Sequence, residues 1–158
     1  MVTVIALPEA QRTWLAELLQ SEWGSVRVVS RGRQHDASRL PAFLALWEGA
    51  PAGAATYRVA EGECEIITLN SLRERCGVGT ALVEAVIQAA QKADCRRVWL
   101  VTTNDNMEAL RFYQKRGFRM AAVYVNAIEG ARRLKPEIPL LGREGIPIRD
   151  ELEFELAC

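Results

Sequence analysis

Hydrophobic and polar positions follow one rhythm in the first half of the chain and another after residue 77. Val2–Leu7 reads as a first strand. Pro8 stands where a helix can begin, since its fixed φ and missing N–H suit a first turn. Trp14, Leu15, Leu18 and Leu19 then recur at helical spacing as far as Trp23-Gly24. Val26, Val28 and Val29 make a short apolar run, and the polar segment Ser30–Asp36 reads as a loop. After Pro41 come three strands, Phe43–Trp47, Ala54–Val59 and Glu63–Leu69. The turns between them fall at Gly49–Gly53 and Glu61-Gly62. Strands this close in sequence pair as antiparallel hairpins.

From Gly77 to Ala93 the pattern is helical, with Leu82, Val83, Val86, Ile87 and Ala90 on one face. Arg97–Thr102 is a short apolar strand of the kind buried on both faces. Asn106–Arg116 is a second helix, closed by Gly117, and Phe118–Val125 is another strand. Near the end, Leu152–Leu156 alternates Leu and Phe with Glu, the pattern of a half-exposed strand. The stretch 126–150 before it is long for a connector. Ala127–Lys135 suits a helical turn or two, and Pro136, Pro139 and Pro147 stiffen the rest. Long ordered connectors are often functional, so this one is expected to wall the acceptor side of a site, with Arg149, Asp150 or Glu151 facing it. The sum is a mixed α/β (α+β) fold in one domain spanning 1–158. A single, mostly antiparallel sheet is flanked by helices and contains one parallel strand–helix–strand unit.

Composition narrows the function classes. Hydrophobic residues are 49% and charged residues 25% of 158, an ordinary globular balance. Twenty basic residues offset twenty acidic ones, which argues against a nucleic-acid partner held by bulk charge. Seventeen of the basic residues are Arg and three are Lys, a bias that suits phosphate or carboxylate recognition and that a GC-rich genome would also give. No apolar run approaches the roughly 20 residues of a membrane span, and the first residues do not read as a signal peptide. Cys64, Cys76, Cys95 and Cys158 form no metal-ligand spacing and His35 is the only histidine, so no metal site is expected. Scattered thiols without an export signal lead us to expect a cytoplasmic protein.

The strongest local signal is the run Glu63–Thr80: a strand, a short polar loop, then Gly77-Val-Gly79 opening a helix. Unpaired N–H groups and the helix dipole make such a start a seat for phosphate or pyrophosphate. A P-loop needs Lys-Ser/Thr after its last glycine, and Thr80-Ala81 stands there instead. A dinucleotide fingerprint lacks its third glycine at Leu82, and the three hairpin strands upstream do not suit a doubly wound sheet.

A second signal follows the strand at 97–102: Asn106-x-x-Ala109-x-x-Phe112-Tyr113-x-x-x-Gly117-Phe118. With the glycine loop, it resembles the GNAT superfamily of acyl-coenzyme A-dependent N-acetyltransferases. Members carry a Gln/Arg-x-x-Gly-x-Gly/Ala loop and then an Asn-x-x-Ala-x-x-Phe/Leu-Tyr-x-x-x-Gly-Phe segment. The order of elements from Val2 to Val125 is similar too. One position departs: Glu74 stands where the family has Gln or Arg, with Arg73 and Arg75 beside it to supply compensating charge.

The resemblance implies a GNAT-like fold, acetyl-CoA as co-substrate, and transfer of its acetyl group to a primary amine of a small molecule or protein. It places the pantetheine arm along Ile67, Thr68 and Leu69. The pyrophosphate falls on the N–H groups of Arg75, Cys76, Gly77, Val78, Gly79 and Thr80, and Asn106 contacts the cofactor arm. Tyr113 matches the acid that protonates the sulfur. Glu63, with Glu65 on the same face, is the candidate base, and His35 in its loop is a further candidate. Cys76 reads as packing, and Arg96-Arg97 as a solvated helix end. Two other classes stay open: a non-catalytic acyl-CoA sensor on the same fold, and a small nicotinamide-binding oxidoreductase. An edge strand such as Leu152–Leu156 would support a homodimer.

Overall fold

Residue 53 decides how the first half of the chain packs, as the elements around it make clear. A computed structural model describes residues 1–158. The strands are β1 (Val2–Ala6), β2 (Arg27–Ser30), β3 (Arg33–Asp36), β4 (Ala42–Trp47), β5 (Ala50–Ala60), β6 (Glu63–Ser71), β7 (Arg97–Thr103), β8 (Arg119–Tyr124) and β9 (Glu151–Ala157). The helices are α1 (Arg12–Trp23), α2 (Val78–Lys92), α3 (Met107–Lys115) and α4 (Ala127–Leu134). Seven strands form one mostly antiparallel sheet in the order β1-β4-β5-β6-β7-β9-β8, and β2-β3 is a separate hairpin. The chain forms two compact units, one of Met1–Val28, Asp36–Val98 and Cys158, the other of Val29–His35 and Trp99–Ala157. No helix is long and apolar enough to cross a membrane.

In the first unit β1, β4, β5 and β6 pair as successive antiparallel ladders. The β4–β5 turn is tighter than the sequence suggests. Glu48 and Gly49 take positive φ (50° and 82°) and β5 starts at Ala50. Pro51 reads as a loop residue, but a register shift at Ala45/Leu46 accommodates it inside the strand. Leu15, Leu18 and Leu19 of α1 share one buried cluster with Leu7, Leu44, Ala54 and Ile67. Gly53, on the opposite face from Ala54, meets α2. A Cβ there would lie 2.5 Å from the Asn70 carbonyl oxygen and 2.8 Å from Val78 Cγ1.

The second unit corrects three expectations. The polar segment after Val29 is not all loop: Arg31 and Gly32 turn at positive φ (49° and 74°), and residues 33–36 form β3. His35 is accordingly buried at 8% exposure rather than solvated. Leu152–Leu156 is no edge, because β9 lies between β7 and β8, and β8 is the outer strand. Nor is β9 half exposed: Glu151, Leu152, Glu153 and Phe154 are all buried. Its carboxylates are partnered, the condition on which charge goes inside. Arg31 donates to Glu151 from its backbone N (3.3 Å) and its Nη1 (2.9 Å). The same guanidinium sits 3.3 Å from the Tyr124 ring centroid, and the Tyr124 hydroxyl donates to Glu153 Oε1 at 2.9 Å.

Two outcomes test this packing. Gly53→Ala should lower the unfolding free energy by about 1–3 kcal/mol in urea titration, since the methyl has no free volume. Arg31→Ala should cost about 2 kcal/mol, because the buried Glu151 carboxylate loses its guanidinium and keeps only the backbone N–H of residue 31. Unchanged midpoints would contradict either assignment.

Candidate active site

Strand β6 and the glycine loop that follows it lie in the first unit. Along β6, Glu63 to Ile66 pair regularly with Ala60 to Tyr57 of β5, but Thr68 pairs with Thr56. Ile67 is therefore a bulge residue, and a bulge leaves its backbone out of the ladder. Ile67 and Thr68 are buried, with Leu69 half-buried. The Thr68 and Thr56 hydroxyls bond each other at 2.6 Å, so what Thr68 offers a ligand is its backbone. Thr56 is a partner the sequence pattern did not single out, because only the register brings it opposite Thr68.

After Ser71 the chain is exposed through Arg75. Arg75 and Gly77 both have positive φ, 60° and 79°. A left-handed arginine is a mild strain of the kind that gathers at functional loops. Gly77 is the N-cap of α2, with no capping side chain and no acid in the first turn. The first α2 hydrogen bond runs from Ala81 N–H to the Gly77 carbonyl at 3.0 Å, so the N–H groups of Val78 and Gly79 have no partner inside the helix. Cys76 is half-buried and Glu74 is exposed. Arg73 stacks on Trp47, its guanidinium carbon 4.8 Å from the ring centroid. An open helix start free of acids and caps, with the dipole behind it, is the chemistry a pyrophosphate needs.

The two strand glutamates differ. Glu63 is bound by Arg96 Nη2 at 2.6 Å and Arg97 Nη2 at 3.2 Å; Arg96 is exposed, as the reading of a solvated helix end expects, while Arg97 is half-buried at the start of β7. The Arg97 hydrogen bond, above all, holds the Glu63 carboxyl below the usual carboxylate range. Glu65 is buried at 4% exposure. Cross-strand pairing puts Glu63, Glu65 and Thr68 on one face of β6, because their partners Ala60, Arg58 and Thr56 share a face of β5.

The second unit carries the helix motif. Asn106 is the N-cap of α3, its Oδ1 accepting from Ala109 N–H at 3.2 Å. Tyr113 lies on the buried face of that helix at 6% exposure. Its ring packs edge-on against Phe112 and Phe118, with centroids 5.0 and 5.3 Å away, and 6.4 Å from Phe154. Burial pushes its phenol pKa well above the ordinary 10.0, so it stays protonated at any working pH. Arg149 and Asp150, expected to face an acceptor, bond each other, and Asp150 accepts from Asn126 N–H at 2.8 Å. They tie the two ends of the connector together.

Because folding lowers the Glu63 pKa, its contribution to stability is full above the unfolded-state pKa and is lost as pH falls through the folded one. Glu63→Gln should thus flatten the loss of stability between about pH 5 and pH 2, read from urea titrations at stepped pH. Parallel curves for variant and wild type would contradict it.

Comparison with known proteins identifies the family. The acetyltransferase (GNAT) family profile matches residues 7–118. An uncharacterized Bacillus subtilis protein, YdhI, is 43% identical over 155 residues, covering 98% of this chain and 97% of its own. Among solved structures, a Bacillus subtilis acetyltransferase in complex with CoA superimposes with a TM-score of 0.73 at 20% identity, covering 100% of this chain and 99% of that one. The Escherichia coli ribosomal-protein-S18-alanine N-acetyltransferase does so with a TM-score of 0.69 at 18% identity, covering 99% and 94%. With the family profile spanning both the glycine loop and the Asn106–Phe118 segment, the chain belongs to the GNAT family of acetyltransferases.

Proposed function

We propose that this protein transfers the acetyl group of acetyl-CoA to a primary amine by direct attack on the thioester. The observation that carries the reading is the α2 N-terminus, uncapped and free of acids, directly after the bulged strand β6. The pyrophosphate binds the N–H groups of Arg75 to Thr80, Cys76 included, and the pantetheine arm runs along the backbone of Ile67, Thr68 and Leu69. The Thr56–Thr68 hydroxyl pair supports a backbone role there. Glu74 is tolerated because its exposed side chain is free to turn to solvent while the seat is made of backbone.

The neutral amine attacks the carbonyl carbon, the oxyanion collapses, and the C–S bond breaks. Tyr113 is the group that serves the departing sulfur. Its raised pKa makes full proton transfer to a free thiolate unfavourable, but guarantees a hydroxyl proton for a hydrogen bond that strengthens as the sulfur gains charge. Of the two glutamates, Glu65 is retained as the base that takes the ammonium proton. Glu63, bound by two guanidiniums, is a poor proton acceptor. The acceptor is an amine of a small molecule or a protein. The likeness to an enzyme named for a ribosomal-protein alanine keeps protein amines in view. Four free cysteines suit a reducing, cytoplasmic setting.

Acetyl-CoA at about 100 times its Kd should stabilise the fold by roughly 2.7 kcal/mol in thermal unfolding, and NADH should not. Stabilisation by NADH alone would overturn the assignment. Tyr113→Phe should slow thiol release about 100-fold with an acceptor amine while leaving acetyl-CoA affinity within about twofold. Equal amine-dependent rates would remove Tyr113 from the mechanism, and binding of acetyl-CoA with no amine-dependent thiol release in either protein would favour a non-catalytic acyl-CoA sensor.

A further inference from the structure

The connector 126–150 reaches the start of α3 through a turn that only glycine permits. Arg143 N–H donates to Asp105 Oδ2 at 3.1 Å, and the Thr103 hydroxyl donates to Asp105 Oδ1 at 2.5 Å. Asp105 is buried. A Cβ on Gly142 would stand 2.6 Å from Asp105 Cγ and 2.8 Å from Ile148 Cγ1. The turn is closed by Gly142 N–H on the Ile146 carbonyl at 2.8 Å and by Ile148 N–H on the Leu140 carbonyl at 3.0 Å. From this anchored base, Arg143 Nη1 donates to Asn106 Oδ1 at 2.5 Å and lies 3.8 Å from the Glu108 carboxylate.

The Asn106 amide can now be accounted for atom by atom. Its Oδ1 accepts from Arg143 and from Ala109 N–H, and its Nδ2 donates to Thr102 Oγ1 at 3.0 Å. A carboxamide has two lone pairs and two N–H groups. Both lone pairs are used, and one N–H remains. We propose that Arg143 is a positioning residue that holds Asn106 as a hydrogen-bond donor to the cofactor arm, which makes the connector part of the cofactor side of the site. The inference rests on the reading of Asn106 as a cofactor contact. It departs from the expectation that the connector serves only the acceptor. Arg143 also offsets the charge of Glu108 in the first turn of α3.

The test is calorimetric titration of acetyl-CoA into wild type, Arg143→Ala, Asn106→Ala and the double variant, with unfolding temperatures of all four. Arg143→Ala should weaken binding about tenfold, the scale of one charge-assisted hydrogen bond. The double variant should bind no worse than Asn106→Ala alone, since the first residue acts through the second. Arg143→Lys, which keeps a cationic donor, should recover most of the loss, and the acceptor KM of Arg143→Ala should stay within about twofold of wild type. Wild-type affinity in Arg143→Ala would overturn the inference. So would losses that multiply in the double variant, which would mean that Arg143 touches the ligand itself. Absence of acetyl-CoA binding by the wild type would overturn the functional reading, and this inference with it.

Discussion

Helix α2 lies where it does because residue 53 has no side chain. Its Val78 and Leu82 approach the backbone of β5 so closely that a single methyl at that position has nowhere to go. The close approach sets where the helix begins relative to the end of β6. That junction carries the backbone features on which the proposed anion seat rests. A bulge at Ile67 frees strand backbone, a left-handed Arg75 and Gly77 turn the chain, and the helix opens with bare N–H groups. None of this requires a particular charged side chain. An acid at position 74 is therefore compatible with an anion seat.

The second unit depends on a different device, the placement of charge inside. Glu151 and Glu153 point into a buried strand because Arg31 and Tyr124 meet them there. Asp105 is buried to hold the Gly142-Arg143 turn. Each carboxylate organises a stretch of irregular chain that hydrophobic packing alone would not fix: the β2–β3 hairpin in one case, the long connector in the other. Polar residues thus supply the order in a unit whose apolar contacts centre on Tyr113, Phe118 and Phe154.

This division explains what could be read in advance. Elements with strong apolar periodicity, such as α2 and the strand at 97–102, were legible because burial of one face or both leaves its period in the sequence. The pair of motifs around Gly77 and Asn106 was legible because spacing within a strand-to-helix turn is itself the signal. The β2–β3 hairpin was not, since Arg31-Gly32 and residues 33–36 are polar throughout and gain their order from a partner more than a hundred residues away. For β9 the alternation was seen but its meaning was inverted. A Glu in a period-2 pattern normally faces water, and only tertiary pairing turns it inward. Pro51 hid the start of β5 for a related reason: a bulge, invisible to pattern, absorbs a residue that strands usually exclude. At the site, the residue types were evident while their state was not. The ion pairs on Glu63, the hydroxyl pair of Thr68 and the grip of Arg143 on Asn106 are all contacts between distant segments.

The central claim is that backbone at the α2 N-terminus seats the diphosphate of an acyl-CoA. A crystal structure of the chain with coenzyme A bound tests it most directly. Diphosphate oxygens should lie about 2.7–3.2 Å from the N–H groups at the Gly77 end of α2, with the pantetheine arm against Ile67 to Leu69. Coenzyme A held elsewhere, with that helix start facing only water, would contradict the claim.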